Sequence, residues 1–345
     1  MARPSAFRRA SSDPIPLRVR RDGVNRRALR VASLALCSLF SLGSLGCVSR
    51  PKLWVFTAPW DVRSDSALRA GTAPRATIVS GWISLDSLSG APVSLYTDTL
   101  QRDARFALVT SFRGDRFHPE AVRALARDAD ARAHAAAEVE RLVRAGAYAG
   151  VVLDLEALEP ADTAALALVT EALGAAARRG GARTVAIAVP AEDTIAYPAR
   201  LLLPHVDLLL VMLYDQHWSG SGPGPVAARQ WARAALGRWV AAAGAEHVVA
   251  ALPLYGYHWH TGAPTDVVGW TDVQRLARLP GAALGRDSTS GSLRLQMGDG
   301  SELWLADAAL VAQIAHDARA LGVRTLALWR LGLEDPAVWT ALRAR

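Results

Sequence analysis

The chain has 345 residues but only two cysteines, Cys37 and Cys47, and both lie in its first fifty residues. The rest of the chain therefore has no disulfide and no thiolate metal site. Beyond the N-terminal arm it also has no charge excess. Residues 1–30 hold nine arginines against two aspartates, so the formal net charge of +7 is concentrated there and residues 31–345 sum to zero. A neutral body has no general footprint for a phosphate backbone, which excludes nucleic acid as a partner. No Gly-x-Gly-x-x-Gly turn follows the first apolar run, and the glycine-rich stretch 219–224 lacks the Lys-Ser/Thr ending of a phosphate loop. Phe and Tyr are sparse at six each, whereas tryptophan occurs eleven times.

What is present begins with the basic arm. It runs into residues 31–46, uncharged and rich in Leu, Ala and Ser, and then into Cys47. A positive region, a short apolar core and small residues are the layout of an export signal. Sixteen residues broken by Ser and Gly are short for a permanent membrane span. Ser44-Leu45-Gly46-Cys47 resembles a bacterial lipoprotein cleavage box, with Leu one place nearer the cysteine than usual. Residues 1–50 are thus expected to export the protein, with lipidation at Cys47 and membrane contact only through that anchor. A plain signal peptide or an uncleaved anchor is the alternative.

From residue 53 onward, short apolar runs alternate with stretches rich in Ala, Leu and Arg. Strands are expected at 53–59, 76–83, 106–112, 150–156, 184–190, 207–214, 247–254 and 324–331. Helices are expected at 119–145, 162–179, 226–243 and 306–321, with shorter ones near 196–203 and 271–278. Alternation of this kind argues for a parallel sheet. Eight strands in one domain, 51–345, fit an α/β fold, a (β/α)8 TIM barrel, with a small α+β insertion after strand seven at about 260–305. A doubly wound open sheet is the alternative.

The most informative stretch is 148–158, Tyr-Ala-Gly-Val-Val-Leu-Asp-Leu-Glu-Ala-Leu. Alternation along a strand puts Val151, Leu153 and Leu155 on one face and Gly150, Val152, Asp154 and Glu156 on the other. Side chains two apart lie roughly 6.5–7 Å from each other, so the two acids point side by side into one space. Barrel sites form at the carboxyl ends of strands, where these acids fall. Exposed acids in a strand-to-helix loop are the competing explanation, because Pro160-Ala161-Asp162 follows.

Four segments together resemble glycoside hydrolase family 18, in its bacterial spore-germination and chitinase-like branch. Gly150–Glu156 is similar to the end of that family's strand-four motif, Asp-x-x-Asp-x-Asp-x-Glu. Met212-Leu213-Tyr214-Asp215 resembles its strand-six Met-x-Tyr-Asp, and Pro253-Leu254-Tyr255-Gly256 its strand-seven Pro-x-Tyr-Gly. Residues 326–332, centred on Trp329, resemble the strand-eight segment that carries the subsite tryptophan. The resemblance implies a glycosidase acting on β-1,4-linked N-acetylglucosamine in chitin or peptidoglycan, without cofactor or metal. It implies Glu156 as the acid, Asp154 as its partner, and Tyr214 and Asp215 as catalytic support. Trp329, Met212 and Tyr255 are implied as substrate contacts. Two acidic positions of the strand-four motif are occupied by Ala149 and Val152, which leaves open a non-catalytic glycan-binding barrel as the rival. Trp60, Trp82, Trp218, Trp259 and Trp270 fall at or after strand ends, where some are expected to line sugar subsites and others to pack. His258 and His260 have no further ligands at recognisable spacing, so no metal site is expected. Oligomeric state is not legible.

Overall fold

The computed structural model describes residues 52–73, 75–96, 98, 100 and 105–343. The expected export arm and Cys47 lie outside the described residues. Eight parallel strands close on themselves: β1 (Lys52–Phe56), β2 (Thr77–Leu85), β3 (Arg105–Thr110), β4 (Gly150–Asp154), β5 (Thr184–Pro190), β6 (Leu208–Met212), β7 (Val248–Pro253) and β8 (Thr325–Trp329). Closure is made by β1, which pairs in parallel with both β2 and β8. The expected TIM barrel is the observed fold.

Each strand is apolar on both faces because each face meets a different layer. Val151, Leu153 and Leu155 pack outward against the helices, together with Leu166, Val169 and Leu173 of the helix Thr163–Arg179. Val152 points inward to Leu108, Ala186, Leu210 and Ala327. Fully burying one such Val or Leu contributes roughly 1.5–3 kcal/mol, so the two layers are the main source of stability.

One difference from expectation has a local cause. The expected helix 119–145 is two helices, Pro119–Arg127 and Ala129–Ala145, because Asp128 adopts an extended conformation (φ −111°, ψ 111°). Its carboxylate accepts from the N–H groups of Asp130 and Ala131, capping the second helix where the first ends. Between β2 and β3 no described residue is helical; Pro92–Val93 instead pairs antiparallel with the end of β2.

The insertion begins at Gly256, earlier than about 260. Five antiparallel strands and the helix Trp270–Leu276 enclose their own small core of Val268, Val273, Leu293, Leu295 and Leu303. Gly256 pairs with Leu305 so closely that a Cβ would sit 2.0 Å from the carbonyl oxygen of Trp304. Among the described residues no helix is long and apolar enough to cross a membrane.

Candidate active site

A cavity of about 400 Å³ opens at the carboxyl ends of the strands. Asp154, Glu156, Met212, Tyr214, Asp215 and Trp329 all line it. Sequence positions more than 170 residues apart therefore meet in one space, as three of the four short segments implied.

Asp154 is the last residue of β4 and is 8% exposed. The Thr110 hydroxyl, at the end of β3, donates to its Oδ2 at 2.9 Å. Glu156 lies two residues on, just past the strand, half-buried, with its N–H donating to Ser111 Oγ at 3.3 Å. Ala157 follows in the left-handed region (φ +59°), turning the chain away from the cleft.

Burial, then the Asp154 charge and hydrogen bond, and then Asp215 push the Glu156 carboxyl well above the usual carboxylate range. Burial also raises Asp154, but hydrogen bonds from Glu156 and Thr110 oppose it. Of the two, Glu156 is therefore the carboxyl that keeps its proton to the higher pH.

Asp215 sits beyond β6 at φ +58°, a conformation that Asp tolerates better than most residues. Two phenols fix it there. Tyr255 and Tyr257 both donate to its Oδ1, the latter at 3.1 Å. Cleft water reaches Asp215, yet protein packs closely round its carboxyl; burial raises its pKa and the two phenols oppose the rise. Tyr214 stands edge-on to Tyr255, their ring centres 6.2 Å apart, and burial followed by the neighbouring acids keeps its phenol protonated. Its hydroxyl has no hydrogen-bond partner among the described residues.

Trp329, ending β8, packs edge-on against Phe56 at 5.5 Å and near Trp82 at 6.2 Å. Trp60, 45% exposed, continues this aromatic wall towards Phe112, on which it stacks at 6.3 Å.

Tyr255 is a correction. It is 3% exposed and is not among the cavity-lining residues; it supports Asp215 rather than meeting a ligand. The expected tryptophans divide. Trp60 and Trp82 line the cavity, whereas Trp259 is buried and donates to the Ser221 carbonyl, Trp270 packs on the insertion core, and Trp218 is exposed away from the lining. His258 and His260 bond to Ser301 and Asp266, and among the described residues no group of three or more His, Cys, Asp or Glu is placed to hold a metal.

The sequence reading missed Thr110, Ser111, Phe112, Phe117, Glu192, Asp193 and Trp231. For Thr110-Ser111 a signal existed: two polar residues at the carboxyl end of an apolar barrel strand, the same signal that marked Asp154. Trp231 sits on a helix, with nothing in its local sequence to distinguish it from packing.

No protein-family model matches the chain. It is 25% identical over 216 residues to the uncharacterized glycosylase YvbX of Bacillus subtilis, a match covering 59% of this chain and 62% of that protein. The spore cortex-lytic enzyme SleL of Bacillus megaterium superposes with a TM-score of 0.75 at 15% identity, covering 85% of this chain and 73% of SleL. A family GH18 chitinase from Cycas revoluta superposes with a TM-score of 0.69 at 18% identity, covering 84% of this chain and 98% of the chitinase. The structural likenesses establish the barrel fold. With the glycosylase relative, they bear out the resemblance to glycoside hydrolase family 18 read from the four segments.

Proposed function

We propose that this chain, a barrel of the glycoside hydrolase family 18 type, hydrolyses β-1,4-linked N-acetylglucosamine glycan of the chitin or peptidoglycan kind, with retention of configuration. The observation that carries the reading is one cavity lined by Glu156, its neighbour Asp154, Tyr214 and an apolar Trp329 floor, with the Glu156 carboxyl pushed well above the usual carboxylate range. Asp154 precedes Glu156 on the same strand end rather than facing it across the cleft, and Asp215 is held by the phenols of Tyr255 and Tyr257, so neither is given the role of nucleophile. Family 18 is among the substrate-assisted exceptions to the two-carboxylate scheme.

In this mechanism Glu156 gives its proton to the leaving glycosidic oxygen as that bond breaks. The sugar's own 2-acetamido oxygen attacks the anomeric carbon, forming a cyclic oxazolinium. Asp154 holds the acetamido N–H and stabilises the positive charge. Tyr214 donates to the acetamido oxygen, and Asp215, steadied by Tyr255 and Tyr257, supports the distorted ring. Glu156, now ionised, takes a proton from water, which opens the oxazolinium and returns the enzyme to its starting state. Trp329 stacks under the ring and Met212 closes the wall beside it. No step needs a metal or cofactor.

The cavity also bears on the rival reading, a barrel that binds glycan without turnover. Val152 lines it beneath Asp154, where the family motif carries an acid. Residues 1–50 are proposed to export the protein, with Cys47 as the lipidated residue.

The test is product analysis on acetylated chitooligosaccharides and on purified peptidoglycan, with wild type and Glu156→Gln. General acid catalysis contributes roughly 10²–10⁴-fold, so hydrolysis should fall by at least that factor while glycan affinity is kept. Wild-type binding without cleavage from mildly acidic to neutral pH would favour the rival.

A further inference from the structure

Thr110, the last residue of β3, and Ser111 just after it frame both acids of the pair. Thr110 is fully buried and stands directly beside Asp154 in the register of β3 and β4. Its Oγ1 accepts from the N–H of Phe112 at 2.9 Å, and its own proton is directed to Asp154 Oδ2 at 2.9 Å. A hydroxyl has one proton to give. With a backbone donor fixed on its lone pair, that proton has a defined direction. Ser111 completes the frame, its N–H donating to the Asp154 carbonyl at 2.9 Å and its Oγ accepting from the Glu156 N–H at 3.3 Å.

From below, Asp154 receives nothing of the kind. The inward residues one repeat lower, Leu108 on β3 and Val152 on β4, are apolar and buried. Thr110 is the one hydroxyl donor to Asp154 among the described residues, and Glu156 is the other side-chain partner of Asp154.

We propose that Thr110 is the positioning residue of the acid pair, its hydroxyl holding one oxygen of Asp154 so that the other is turned to Glu156. It takes the place of the acid absent at Val152. The proposal rests on Glu156 as the proton donor. A threonine in this place fixes the orientation without adding charge, so the pair has one proton to share and no third group to exchange it with. Loss of the donor leaves a buried carboxylate undercompensated, and the shared proton moves from Glu156 towards Asp154.

The experiment compares wild type, Thr110→Val, Thr110→Ser and Glu156→Gln. It measures pH–rate profiles on acetylated chitooligosaccharides, melting temperatures, and the titration of Asp154 and Glu156 by carboxyl-carbon NMR. Thr110→Val should lower kcat about tenfold and move the acidic limb upward by about one pH unit, the size of one lost hydrogen bond to a charged group. Thr110→Ser keeps the hydroxyl and should restore both, whatever its melting temperature. A Thr110→Val profile matching wild type overturns the proposal, as does a Thr110→Ser profile shifted like that of Thr110→Val. Should Thr110→Val not fold, the Thr110→Ser profile decides by the same criterion. If wild type cleaves no glycan, the proposed function fails first, and the carboxyl titration still decides. Asp154 titrating about one unit higher in Thr110→Val supports the positioning role, and an unchanged titration overturns it.

Discussion

The lower and upper halves of the barrel interior are built by the same strands, yet they obey opposite rules. In the lower half Trp54, Phe106, Val152, Leu210 and Ala327 fill the space with apolar side chains, Val152 and Leu210 forming the floor of the cavity. One repeat higher, β3 and β4 end in Thr110 and Asp154, and the interior becomes a cavity with charge in it. On β4 the change falls between Val152 and Asp154, two residues apart. The lower half gains by excluding water and polarity. The upper half holds two carboxyls at raised pKa, a state that costs stability and is useful only for chemistry.

The most severe way to break this comparison is to move the boundary down one step. Val152→Asp would place a carboxylate among Leu108, Ala186 and Leu210, with no described donor facing it. Leaving such a charge unpaired costs roughly 3–5 kcal/mol, or about 10 °C of melting temperature in a domain of this size. The loss should shrink at acidic pH, where the introduced group is neutral. A variant as stable as wild type at neutral pH would mean that the lower half is not the dry core described above.

The same boundary explains what could be read from the sequence. Asp154 and Glu156 were legible because charge at the end of an unbroken apolar strand has no packing explanation. Tyr214, Asp215 and Trp329 were legible through the motifs around them. Tyr255 was misjudged because a motif reports a residue's neighbourhood and not which way its side chain turns; here the phenol turns to Asp215. Thr110 escaped because a threonine at a strand end is unremarkable until its partner across the register is known. The split at Asp128 was not legible, since apolar periodicity runs through a cap.

A smaller effect sharpens the comparison from above. Because the Glu156 carboxyl is raised in the folded state, the fold binds that proton more tightly than the unfolded chain does. Wild type therefore loses stability as pH rises above the ordinary glutamate value of about 4.3 and towards the folded one. Glu156→Gln removes that loss. Its melting temperature should match wild type near pH 4 and exceed it by a few degrees at pH 7, on the order of 1 kcal/mol. Equal melting temperatures across that range would mean that Glu156 is not held protonated by its surroundings.

The central claim is that the attacking group belongs to the substrate and the proton belongs to Glu156. The most direct measurement offers the protein fully N-acetylated and fully deacetylated chitooligosaccharides of equal length and follows the anomeric configuration of fresh products by proton NMR. The account predicts cleavage of the acetylated series alone, with β-anomers appearing first. Cleavage of both series at similar rates, or initial release of α-anomers, would contradict it.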